Sequence, residues 1–136
     1  MPDLRPVYDE LHRRLSVHED AFLASRNLTD ANAPGSRKVE DPSPDSYALL
    51  GAPTEKYPDG QMFAALKLGK RYVSCYLMSV YADPAALEEM SPGLRRRMQG
   101  KSCFNFTRVD DQLFDELDRL TRRGREQYAA AGLLRG

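Results

Sequence analysis

The chain has 136 residues, and its 20 Lys and Arg exactly offset 20 Asp and Glu, for a formal net charge of zero. That length suits one domain, residues 1–136, with a single core, and the charge balance supplies no global field favouring nucleic acid or an anionic membrane. Met1-Pro2-Asp3-Leu4-Arg5 lacks the apolar run of a signal peptide and no stretch of about 18 apolar residues occurs, so the expectation is a cytoplasmic protein with no nucleic-acid or membrane partner.

Leu4, Val7, Tyr8, Leu11 and Leu15 repeat at helical spacing, which predicts an amphipathic first helix over residues 3 to about 18 with Pro6 in its first turn. His12 and His18 lie six apart on it, near opposite sides, which suits solvated side chains better than a metal pair. Residues 27–45 then crowd Asn, Asp, Pro, Gly and Ser together and read as a long surface loop.

Three strands are expected next, over residues 46–50, 61–68 and 71 to about 80, with Gly69-Lys70 as a tight hairpin between the last two. Alternation sorts their side chains onto two faces. Met62, Ala64, Leu66, Leu68, Val73, Cys75 and Leu77 form an apolar face to be met by helices. Phe63, Ala65, Lys67, Tyr72, Ser74 and Tyr76 form a face of rings and hydrogen-bonding tips.

Asp83-Pro84 and Ser91-Pro92 each put a capping side chain before a proline, the start signal of two short helices. Gly100 is read as the stop of the second. Ser102 to Phe106 makes a fourth strand, with Phe104 and Phe106 toward the core and Cys103 and Asn105 on the other side. A long helix over residues 110–131 carries Leu113, Phe114, Leu117, Leu120 and Tyr128 on its buried stripe and is ended by Gly132. Gly124 inside it costs about 1 kcal/mol relative to Ala, which marks a close approach to another element.

The runs Tyr72-Val73-Ser74-Cys75-Tyr76-Leu77-Met78, Val80-Tyr81, Ser91-Pro92 and Met98-Gln99-Gly100-Lys101-Ser102-Cys103-Phe104-Asn105-Phe106 resemble the YdhG-like bacterial family. This is a domain of unknown function whose members include a frataxin-like intracellular iron chaperone. The resemblance covers residues 63–128 and is most specific over 98–106. It implies a small α+β domain with an antiparallel sheet, and no catalytic residues. Relatives often carry His at the position of Tyr76 and Pro at that of Ser79, so no imidazole ligand transfers.

Phe63, Lys67, Tyr72, Tyr76 and Asn105 form the candidate site, since tyrosine joins apolar area to a polar tip and suits a small-molecule pocket or a homodimer surface. The competing expectation folds residues 27–45 across this face as a minor core. Asp111, Asp115 and Asp118 share a helical stripe that could hold iron, the frataxin-like alternative, but Arg119 and Arg122 follow at four-residue spacing and neutralise it. Lys101-Ser102 after Gly100 enters a strand and not a helix, unlike a phosphate-binding loop. Arg95, Arg96, Arg97, Arg122, Arg123 and Arg125 read as a solvated face. Cys75 and Cys103 read as reduced, buried thiols, and no nucleophile with a nearby base points to an enzyme or a cofactor. The whole reads as an α+β domain with an antiparallel sheet of about four strands and its N- and C-terminal helices packed on one face.

Overall fold

A computed structural model describes residues 3–25, 45–58, 60–81 and 83–135. The loop expected over 27–45, and with it any minor core it would make, falls outside the described residues apart from Asp45. The first helix, α1, spans Arg5–Ser16 and continues as a 3-10 turn over Val17–Asp20. Then come β1 (Leu23–Ser25), β2 (Ser46–Leu50), β3 (Met62–Leu68) and β4 (Val73–Leu77). Three short helices follow, α2 (Met78–Tyr81), α3 (Pro84–Glu89) and α4 (Pro92–Arg97). The chain then forms β5 (Met98–Gln99), β6 (Cys103–Phe106) and the long α5 (Asp111–Ala130).

The α+β class holds, but the sheet has six antiparallel strands, in the order β1-β2-β3-β4-β6-β5, where about four were expected. The two additions are its edges, only three and two residues long, too short to show a period. Arg71 to Val80 is not one strand: β4 ends at Leu77 and Met78 opens α2. Gly100 does not stop α4, which ends at Arg97. It turns the β5–β6 hairpin at φ 75°, a conformation glycine adopts without a Cβ penalty. Gly69 in turn pairs with Tyr72, its N–H donating to the Tyr72 carbonyl at 3.0 Å, so Lys70 and Arg71 form the tip of the β3–β4 turn.

One face of the sheet carries α1 and α5. Val7, Tyr8, Leu11 and Leu15 of α1, with Phe114, Leu117, Leu120 and Tyr128 of α5, join Leu66, Val73, Cys75, Leu77, Phe104 and Phe106 in one core. Both helices are recruited by their apolar stripes. Ser91 caps α4 through the Leu94 N–H at 3.1 Å and Asp110 caps α5 through the Leu113 N–H at 3.2 Å. Asp83 makes no such cap, because its carboxylate is bound to Arg123 and Gln127 of α5.

Strict alternation fails at one place. Leu49 faces Ala64 and Leu50 faces Met62, so Phe63 is an extra residue, a bulge in β3. Phe63 and Ala64 therefore both lie in the helix-side core, while Met62 joins Ala48, Leu50 and Ala65 in a smaller cluster on the reverse face. The bulge is held from α5: the Tyr128 hydroxyl donates to the Met62 carbonyl at 2.7 Å. Phe63 stacks on Phe22 at 4.1 Å with the planes 2° apart, and Tyr128 meets its edge at 5.1 Å. Gly124 is the close approach its cost implied, since a Cβ there would collide with the Ser79 hydroxyl and lie 2.6 Å from its Cβ.

Candidate functional site on the reverse sheet face

The antiparallel register places Ala65 opposite Tyr76, and Tyr76 opposite Cys103; one step along, Lys67 faces Ser74 and Ser74 faces Asn105. Residues at these positions point away from α1 and α5. Lys67, Tyr72 and Tyr76 converge there on a depression of about 330 Å³, which Gly69, Lys70, Arg71 and Ser74 also line. Tyr72 is 39% exposed at its rim, and Tyr76 is half-buried against the Met62–Ala65 cluster.

Of the five expected site residues, Asn105 lies one strand away and acts through Ser74. Its Oδ1 accepts from the Ser74 hydroxyl at 2.8 Å and from the Cys103 thiol at 3.5 Å, while its Nδ2 donates to Gln99 Oε1 at 2.9 Å. This chain of bonds crosses β4, β6 and β5 and fixes the floor of the depression. Phe63 does not belong to the site: only 1% exposed, it is sealed beneath α5 by the bulge. Lys70, Arg71 and Ser74 were missed as site residues. The signal for the first two was a cluster of three cations, Lys67, Lys70 and Arg71, at a hairpin tip.

Cys75 faces the helices and Cys103 the reverse side, so although β4 and β6 are neighbours the thiols project from opposite faces and remain free. Burial pushes both thiols up, Cys75 the more strongly, and the polar neighbours Ser74 and Tyr76 only partly oppose this at Cys103. Neither is set up as a thiolate nucleophile.

The aspartate stripe of α5 has a different counter-ion from the one expected. Arg14 of α1, its side chain 11% exposed, bridges Asp111 at 3.2 Å, Asp115 at 2.8 Å and Asp118 at 2.7 Å, and also Glu10 at 2.7 Å. Hydrogen bonds from Arg13 and Arg14 hold Glu10 down at about 2. Burial works against the charge on Arg14, but the carboxylates outweigh it and raise the guanidinium above its ordinary value. Asp118 moves the other way, raised by burial in spite of Arg14. Among the described residues no group of three or more His, Cys, Asp or Glu is placed to hold a metal ion.

His18 is buried, at 6% exposure, and not solvated. Its ring meets the edge of Phe63 at 6.1 Å, and its Nδ1 lies 3.1 Å from the Arg125 guanidinium, which can only donate. Burial first, and Arg125 second, lower its pKa, so the imidazole is neutral at pH 7 with Nδ1 as acceptor. No helix among the described residues is long and apolar enough to cross a membrane. The chain matches no protein family, no curated protein and no solved structure with which it was compared.

Proposed function

We propose that the protein is a non-catalytic binding module whose ligand site is the reverse face of the sheet. The observation that carries this reading is the convergence of Lys67, Tyr72 and Tyr76 on one depression, with Asn105 bracing its floor. Its volume of about 330 Å³ lies at the lower end of the roughly 300–1,000 Å³ of small-molecule sites. Self-association through the same patch is the less favoured form, because an isologous dimer centred on it would oppose Lys67, Lys70 and Arg71 to their own copies. An iron-carrying role is weakened by the Arg14 bridges, which already occupy the acidic stripe of α5.

Thermal unfolding against a panel of small organic compounds tests the proposal. A compound that raises the midpoint of the parent chain and not of Tyr72→Ala supports it. A strictly monomeric protein, indifferent to every compound and unchanged in size by Tyr76→Asp, would sink it.

A further inference from the structure

We infer that the depression at the β3–β4 turn is built for a small aromatic anion, a planar ring carrying a carboxylate or a phosphate. This rests on the binding-module reading and names its ligand class. Lys67, Lys70 and Arg71 all line the depression, no Asp or Glu lines it, and none of the three cations forms an ion pair among the described residues. Two depressions of similar size, about 360 and 370 Å³, differ in this respect. The first is lined by Arg14 together with Asp115 and Asp118, which it bridges. In the second, Arg123 is bonded to Glu89, which lines the same depression, and to Asp83. In both of these, a carboxylate that lines the depression is bonded to one of its arginines. At the β3–β4 turn the three cations meet no carboxylate among the described residues.

Like charges gathered around one concavity repel one another, and an anion entering it converts that repulsion into attraction. The two residue types are complementary here: Arg71 can grip a carboxylate or phosphate through two parallel N–H donors, while the lysines act as point charges on flexible stems. Tyr72 and Tyr76 supply the apolar surface that an inorganic anion would not use. The Ser74 hydroxyl already donates to Asn105, which leaves it an acceptor, so the negative charge belongs with the cations at the rim and not over the floor.

Titration of the full chain, followed through the backbone amide resonances, tests this with four probes: phenyl phosphate, benzoate, benzyl alcohol and inorganic phosphate. Phenyl phosphate or benzoate is expected to shift amides over residues 67–76 saturably, at least tenfold more tightly than the other two, and to weaken with added salt. Lys67→Gln/Arg71→Gln should lose that affinity at least tenfold with its thermal midpoint nearly unchanged, since both side chains are exposed. Benzyl alcohol binding as tightly as phenyl phosphate would overturn the anion and leave the binding module standing; inorganic phosphate doing so would overturn the ring. Saturable shifts confined to other residues would overturn the assignment. No shift with any probe would overturn the inference, and only a monomer also indifferent to Tyr76→Asp and to the wider compound panel would take the binding module with it.

Discussion

The two faces of this sheet use the same strands for opposite ends. On the helix side three central groups are each committed to partners: Phe63 to Phe22 and Tyr128, Arg14 to four carboxylates, His18 to Arg125. On the reverse side Ser74, Cys103, Asn105 and Gln99 are bonded together, yet Lys67, Lys70 and Arg71 form no ion pair among the described residues. Groups that satisfy one another stabilise the fold, and charges left uncompensated in a concavity are available to something else.

Substitutions on the two faces should therefore behave differently, and the largest effect belongs to the bulge. Phe63→Ala should cost about 3–5 kcal/mol by urea denaturation, because it removes a buried ring that three aromatic neighbours pack around. A cost below about 1 kcal/mol would mean that the bulge is not a core feature. Gly124→Ala comes next. Helix propensity alone favours it by about 1 kcal/mol, but collision with Ser79 should make it a net loss of about 1–3 kcal/mol, which Ser79→Gly in the same chain should largely restore.

Arg14→Gln should cost about 1–2 kcal/mol, since two of its four acidic partners are mostly solvated and only part of the bridging is sheltered. The pH dependence sharpens this. Glu10 is depressed from 4.5 to about 2, so its contribution is complete above pH 4.5 and is lost as the pH falls through 2. Asp118, raised by burial, has the opposite sign: its charged form costs stability at neutral pH and protonation relieves that cost. Glu10→Gln should therefore flatten the loss of stability between pH 4.5 and 2, read from urea midpoints across that range. The smallest effect is expected on the reverse face, where Tyr72→Ala should change stability by less than about 0.5 kcal/mol while abolishing ligand-induced stabilisation.

Much of this was legible in the chain. The stripes of α1 and α5, the serine cap of α4, the outward placement of Lys67, Tyr72, Tyr76 and Asn105, and the crowding at Gly124 all follow from spacing or from local backbone chemistry. Phe63 was misplaced because alternation assumes an unbroken strand, and one inserted residue exchanges it with Met62. His18 and Asp83 were misread because their partners, Arg125 and Arg123, lie about 107 and 40 residues away along the chain.

The sequence by itself determined the periods: which residues share a helix stripe, which share a strand face away from the bulge at Phe63, and where the capped Ser91-Pro92 starts a helix. Those depend on neighbours within a few positions, where backbone geometry is the governing constraint. Only the tertiary structure decided which charges meet. Arg14 reaches the α5 aspartates, while Lys67, Lys70 and Arg71 meet no carboxylate among the described residues, because pairing depends on how helices and turns are brought together across the fold.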